Sequence, residues 1–577
     1  MSQTVDLNFL REQTIGIDSW FDTPYGRRLL TYADYTASGR GLHFVEEHIK
    51  NHMVLYANTH TEDDITGRQM SAIMHDAEKV IKSCVNANED NCIISIGSGA
   101  TGAIYRLQQI LGIALPAQSY ENIYRVLEEK FDKQGVEAFE QGVSETSPVV
   151  FIGPYEHHSN EVSWRSGMAT VVTVRLTENG EIDLAHLEEL LKAPQYKNRL
   201  RIGSFSAASN VTGMRSDVKG ITKLLHKYDA LACFDYAASG PYDPIDMNPG
   251  AEDGIDLSLD AVFVSPHKFI GGPGSAGTLI FNKRLYKTHL CPAIAGGGTV
   301  SYVNEEDQDF FDDIEERENA GTPGILQVLR TAAAFAIKRD VGEQNIHDIE
   351  ERYIRQAFDQ WSKNDNIEIL GNPNPEKRVA IISFNVKSPD GKYLHPKFVT
   401  AFINDMFGIQ TRAGCACAGP YGHRLLGIGM DQSHQYRDAI AKGWSGVKPG
   451  WCRLGFHFTM EPEEVQYMID VVDFVANHGH LFMTDYHFDL KSGLWSHKQA
   501  KSLDADFLTG LYEGEKEAEP AATVLQRTAY YENSLRQAYE RAYALSRKSL
   551  GECCDLGSDL EKLRFFSLFA VSVGDHA

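Results

Sequence analysis

The sequence predicts an α/β protein with a mostly parallel sheet flanked by helices, and three observations carry that expectation. Short apolar runs recur along the first half of the chain, helical patterns separate them, and most of the runs end in small or polar residues able to do chemistry. The runs are NCIISI from Asn91, PVVFI from Pro148, RIGSFS from Arg201, ALACFD from Ala230 and VFV from Val262. Each is rich in β-branched or aromatic residues and bounded by turn residues, so each reads as a buried strand. IDLAHLEELLKA and SDVKGITKLLHKYDA carry helical periodicity between them. Strands that alternate with helices pair in parallel, which gathers their carboxyl ends on one edge, where open α/β sheets bind ligands.

Taken in order, each strand end contributes a different group. The segment Asn91 to Ile104 passes from a strand through a Gly/Ser/Thr turn into a helix, and the free N–H groups and dipole at that helix start suit a phosphate. Gly97, Gly99 and Gly102 also spell G-x-G-x-x-G, the dinucleotide fingerprint. That reading requires a second strand ending in an acidic residue about 20 residues on. Here the chain instead enters a charged helical insertion, about Pro116 to Ser147, and the next strand, Val149 to Ile152, ends at Gly-Pro. The loop therefore reads as a cup for a single phosphate. The later runs end in His157 and His158, in Ser209 and Asn210, in Asp235, and in the Ser265-Pro-His267-Lys268 turn. A lysine desolvated at a strand end has a lowered proton affinity, which frees its amine for Schiff-base chemistry.

Together these groups match the needs of pyridoxal 5'-phosphate. Its aldehyde requires a lysine, its phosphate N–H and hydroxyl donors, and its pyridine nitrogen a carboxylate. Its phenolic oxygen wants a donor such as Asn210, and its ring face a flat partner such as His157. The motif order G-A-T, E-H-H-S-N, S-N-V-T-G, D-x-A, S-P-H-K, A-G-T-P and R-A-G-C-A-C resembles the class V aminotransferase superfamily of fold-type-I enzymes, and within it the cysteine desulfurases. The resemblance extends from YADYTASG (Tyr32 to Gly39) to CRLGFHF (Cys452 to Phe458). It implies that Lys268 bonds to the cofactor aldehyde, Asp235 partners the pyridine nitrogen, and His157 stacks on the ring as a catalytic residue. Ala100, Thr101, Ser265 and His267 would hold the phosphate, and Asn210 would contact the phenolic oxygen or the substrate. Thr322 of ENAGTPG would reach the phosphate of a neighbouring subunit, which implies a homodimer. Arg453 resembles the arginine that binds the substrate carboxylate, with Ala37, His60 and Arg412 completing the substrate side.

Within FGIQTRAGCACAGPYGHR, the Arg-x-Gly-x-x-Cys pattern that starts at Arg412 gives Cys417 as the nucleophile of a desulfurase. A thiolate on a Gly-rich loop near arginine attacks sulfur well. The resemblance implies removal of sulfur from L-cysteine through a persulfide on Cys417, leaving alanine. Cys415 adds a second thiol, an arrangement similar to the sulfurase domain of molybdenum-cofactor sulfurases. Two alternatives stand beside this reading: another class V reaction on an amino acid, such as transamination, epimerisation or selenocysteine cleavage, and a fold kept for binding or regulation. The chain departs from the family pattern at Ala238, where a Gln is usual, at Gly102, where a Glu is common, and in the 116–147 insertion.

Composition fits an ordinary enzyme of two or more domains. The chain has 577 residues, 42% of them hydrophobic, and a net charge of −24, which argues against nucleic acid or an anionic membrane as partner. No secretory signal or membrane-length apolar run is read, and nine cysteines suit reduced thiols in the cytoplasm. The cysteine spacing gives no metal site. The motifs place a large cofactor domain at 31–294, an acidic linker at 295–318 and a smaller α/β domain with the cysteine loop at 319–478. The first thirty residues are expected on the smaller domain, and 479–577 form a helical extension. In that extension Tyr531, Leu535, Tyr539, Ala542 and Tyr543 share one helix face, expected to dock on the body of the protein or on a dimer mate. The partners implied are a second copy, a small amino acid and, with less support, a sulfur-acceptor protein.

Overall fold

The computed structural model describes residues 5–59, 63–414, 417–501, 508, 512, 520–548, 556–569 and 572–574. The chain forms two compact units. The first holds Thr36–His347 with Lys377–Val379 and the chain start up to Asp6, and the second holds Leu7–Tyr35, Asp348–Glu376 and the chain from Ala380 on.

The first unit is built on seven strands: β1 (Asn91–Ile96), β2 (Val149–Ile152), β3 (Thr170–Thr173), β4 (Arg201–Ser206), β5 (Leu231–Asp235), β6 (Ala261–Val264) and β7 (Gly277–Asn282). Their order across the sheet is β1-β7-β6-β5-β4-β2-β3. The contacts β6–β5, β5–β4, β4–β2 and β2–β3 are parallel, whereas β7 runs antiparallel to both neighbours, so β1 points the same way as the rest. Six strand ends therefore lie on one edge, those of the five expected strands and of β3, as the alternation of strand and helix required. Strands β2, β4 and β6 are buried along their full length, which is why they read as continuous apolar runs rather than alternating ones.

Two expectations change shape in this unit. The acidic run that the composition marked as a linker forms a hairpin, Val300–Val303 with Gln308–Phe310, and a short helix, Ile314–Arg317. Residues 301–309 are exposed, in keeping with a solvated stretch, while the end of the run is anchored: Arg106 pairs with Glu318 at 3.0 Å, Tyr286 donates to Glu318 at 2.7 Å, and Lys82 pairs with Glu315. The insertion forms two helices, Ala117–Lys130 and Lys133–Thr146, neither with a buried residue.

The second unit carries a four-stranded antiparallel sheet of β8 (Ile367–Ile369), β9 (Ile381–Val386), β10 (Arg412–Gly414) and β11 (Trp451–Gly455), in the order β8-β9-β11-β10. The segment Leu7–Tyr35 is tied in here, since Thr31–Tyr32 pairs in parallel with Ile409–Gln410. The extension helix Val524–Ser546 also packs in this unit, docking on the body of the protein largely through the expected face. Arg527, Tyr531, Ser534, Ala538 and Ala542 are buried, Leu535 packs against the core and Tyr539 meets Phe474 edge-on, while Tyr543 is exposed. Ring contacts such as the stacking of Tyr467 on Tyr531 and buried charge both hold it. Arg527 donates to Asp18 at 2.7 Å and also pairs with Glu461, while Arg11 pairs with Asp18 at 2.9 Å and Glu464 at 2.7 Å. The small alanines then let the helix approach closely.

Candidate active site

At the gathered strand ends of the first unit, backbone geometry builds an anion cup. Gly99 adopts φ +61°, and a Cβ on it would lie 3.0 Å from both Ser265 Oγ and His267 Cε1. Only glycine lets the helix start come this close. The N–H of Ala100 donates to Ser265 Oγ at 2.9 Å, which joins the β1 helix start to the β6 turn. Thr101 Oγ1 meets Ser159 Oγ at 2.7 Å, and Ser159 Oγ lies 3.0 Å from His157 Nδ1. Gly102 is explained as well: a Cβ there would stand 2.6 Å from Ile96 Cγ2 and Ser98 Oγ, so a Glu at this position would displace the strand end.

Asp235 closes β5 and is buried, with the N–H of Ala237 donating to its Oδ1 at 2.8 Å. Burial is the largest influence on its pKa and raises it, while that N–H and the charge of Lys268 pull the other way. A buried carboxyl of this kind gains from a cationic partner. Lys268 follows β6 in a single 3-10 turn, Pro266–Lys268. Burial and the lysine charge together hold His267 below the usual histidine range, so it is neutral. Gly39 donates to His267 O at 2.9 Å, and a Cβ at Gly39 would fall 1.9 Å from Phe269 O, so the loop carrying Ala37 lies flush against the lysine turn. Asn210 is buried in the turn after β4. Thr322 is exposed and accepts from Asn58 Nδ2 at 3.0 Å. His60 and Cys415 lie outside the described residues.

A lysine, a buried carboxyl under its field, a ring-sized aromatic and a glycine-floored cup therefore fit pyridoxal phosphate in this unit. Sequence reasoning passed over one residue of the cluster, Glu156, although it stands inside the E-H-H-S-N motif. It is fully buried, accepting from Ser206 Oγ at 2.7 Å, Asn160 Nδ2 at 2.8 Å and the Gly153 N–H at 3.1 Å.

The remaining expected residues belong to the second unit. Arg412 and Arg453 face each other across β10 and β11, a like-charge pair that is unfavourable by itself. Asp34 bridges them, 3.0 Å from Arg453 and 3.5 Å from Arg412. Arg453 is buried, which lowers its pKa, while Asp34 acts by charge and hydrogen bond to keep it protonated. Cys417 also acts on the arginine electrostatically. Cys417 is exposed and adopts φ +57°, a left-handed conformation that costs a residue with a Cβ about 1–3 kcal/mol. Asp34 too was missed, although YADYTASG contains it.

Residues 137–468 match the family model described as aminotransferase class-V, and the chain belongs to that family. Among curated proteins it is similar to a cysteine desulfurase of Haloferax volcanii, 27% identical over 342 residues, which is 58% of this chain and 70% of that protein. It is also similar to a probable cysteine desulfurase of Staphylococcus epidermidis, 26% identical over 382 residues, 65% of this chain and 86% of that one. The fold matches a solved cysteine desulfurase from Thermococcus onnurineus with a TM-score of 0.60 at 20% identity, covering 78% of this chain and 95% of the other. A cysteine desulfurase from Escherichia coli gives 0.58 at 18% identity, covering 81% and 98%.

Proposed function

We propose that this chain is a pyridoxal-phosphate-dependent cysteine desulfurase that converts L-cysteine to L-alanine and leaves sulfur on Cys417 as a persulfide. The observation that carries the reading is the lysine–aspartate cluster with its glycine-floored cup in the first unit. The second unit, taken by itself, holds an exposed cysteine in a left-handed conformation that acts electrostatically on Arg453. The names of the curated relatives support it. Bound in the cradle, the cofactor supplies an electron sink for the bonds around the substrate α-carbon.

The protein's own groups do the rest. Lys268 would hold the cofactor through its aldehyde, and its Nζ would carry the α-proton. Asp235 would partner the pyridine nitrogen, and His157 would face the ring. The Gly99 cup and the Ser265 hydroxyl orient the phosphate, and Arg453 holds the substrate carboxylate by its planar fork. Cys417, as thiolate, attacks the substrate sulfur: an S–S bond forms, the substrate C–S bond breaks, and its electron pair with one proton completes the methyl of alanine. L-cysteine and a protein thiol thus give L-alanine and a protein persulfide, with no external oxidant. The enzyme acts as a homodimer in a reducing compartment such as the cytoplasm, with Thr322 of each copy at the other's phosphate.

The test is single-turnover and steady-state assay of the cofactor-loaded protein with L-cysteine. One alanine per persulfide is expected in the absence of reductant, and sulfide when reductant is added. Cys417→Ser should form neither product while its visible spectrum still responds to cysteine. Undiminished alanine and sulfide from Cys417→Ser would refute the role of the thiol.

A further inference from the structure

Glu156 takes no part in the chemistry described above, yet its carboxyl ties three segments together. It accepts from the N–H of Gly153 at 3.1 Å, from Asn160 Nδ2 at 2.8 Å and from Ser206 Oγ at 2.7 Å. Asn160 is itself fixed, since its Oδ1 accepts from Ser204 Oγ at 2.6 Å and from Trp164 Nε1 at 3.0 Å. Gly153 has no side chain because a Cβ there would stand 2.7 Å from Glu156 Oε1. Ser206 is the register partner of Asp235 across β4 and β5, and His157 is the next residue after Glu156.

We infer that Glu156 is a positioning residue for the cofactor ring, its carboxyl clamping the His157 turn to the strand end beside Asp235; the inference rests on the cofactor reading proposed above. The clamp keeps the His157 turn and the strand end that carries Asp235 in register. Its charge state follows from its surroundings. Asp235, on the adjacent strand, is the charged group that acts on Glu156, and His157 adjoins it in the chain; Gly153, Asn160 and Ser206 present groups that do not titrate. Burial, the largest influence, pushes Glu156 up to about 8 against the lowering effect of its hydrogen bonds from Ser206 and Asn160, with the Asp235 charge adding to the rise, whereas Asp235 has Lys268 to favour its ionised form. Two buried carboxyls are thereby separated into an un-ionised clamp and a charged partner for the ring.

The experiment compares wild type, Glu156→Gln and Glu156→Ala in two readouts across pH 5 to 9. For the cofactor-free protein, the readout is unfolding stability. The folded state holds a proton that the unfolded state lacks between the ordinary glutamate pKa and about 8, so wild-type stability should fall as pH rises through that window. Glu156→Gln should lose this one-proton slope. For the loaded protein, the readouts are the visible spectrum and the cofactor dissociation constant. Glu156→Gln should bind within twofold of wild type at pH 7 and lack the wild-type weakening above pH 8. Glu156→Ala should bind at least tenfold more weakly at every pH. A Glu156→Ala variant with wild-type affinity and spectrum overturns the clamp, and if that variant does not fold, a Glu156→Gln profile identical to wild type in both readouts overturns it instead. Wild type that binds no cofactor sinks the underlying reading as well, and the slope of the cofactor-free protein tells that failure apart from a misplaced acid.

Discussion

Replacing Arg527 by Met tests whether the C-terminal helix is held to the second unit by charge. Arg527 is buried, donates to Asp18 at 2.7 Å and pairs with Glu461, so Met keeps much of the volume and removes the cation. Breaking a buried ion pair by deleting one partner costs about 3–5 kcal/mol when the other charge is left alone. Here Asp18 keeps Arg11 at 2.9 Å, and Glu461 retains partial exposure and a weaker contact with Arg11 at 3.6 Å. About half of that cost is expected, roughly 2 kcal/mol, or an opening equilibrium about 30-fold more favourable. The assay is hydrogen–deuterium exchange of the full-length chain, read on peptides from the helix Val524–Ser546. The pH dependence has a definite sign. Burial raises the pKa of Asp18 while the two arginines lower it, so losing one arginine raises it further. An acid whose folded pKa lies above its unfolded one loses stability as pH rises through that interval, so the deficit of Arg527→Met should shrink on going from pH 7 toward pH 4. The double variant Asp18→Asn/Arg527→Met should recover at least 1 kcal/mol relative to the sum of the single changes. Exchange within about 0.3 kcal/mol of wild type, or strict additivity in the double variant, would refute the network as the source of docking.

Three further outcomes follow from the site. Lys268→Ala should give a protein whose cofactor is lost on dialysis and whose alanine production is abolished; retention of colour after borohydride treatment and denaturation would place the covalent bond on another residue. Gly99→Ala forces a Cβ into a left-handed position 3.0 Å from Ser265 Oγ and His267 Cε1, so the cofactor dissociation constant should rise about tenfold or more, given about 1–2 kcal/mol of strain. Asp34→Asn leaves Arg412 and Arg453 facing each other without a shared carboxylate, and should raise KM for L-cysteine about tenfold with a smaller change in kcat; an unchanged KM would exclude a role in orienting Arg453.

Much of the first unit was legible because its signals are local. The run Val262 to Val264 is apolar and β-branched, so it is a strand wherever it sits, and the Ser-Pro-His-Lys turn follows it in the chain. The Gly99 loop was recognisable for the same reason, since a helix start and its glycine lie within a few residues. The acidic stretch before Glu318 was harder. Its composition suggests solvation, which holds for the exposed residues 301–309, whereas the anchoring of its end depends on Arg106, Tyr286 and Lys82 arriving from distant segments. Glu156 and Asp34 were visible as letters inside recognised motifs, but nothing in their spacing says that one is fully buried or that the other joins two arginines.

The sequence alone therefore determined the alternation of strands and helices, the order in which chemistry-bearing residues end the strands, and the cysteine loop, all of which depend on neighbours a few positions apart. The tertiary structure decided which carboxyls are buried, which charges they meet, and that the last helix docks on the body of the protein. Burial and pairing are set by contacts between remote segments, as between Arg527 and Asp18, 509 positions apart, and no local pattern encodes them.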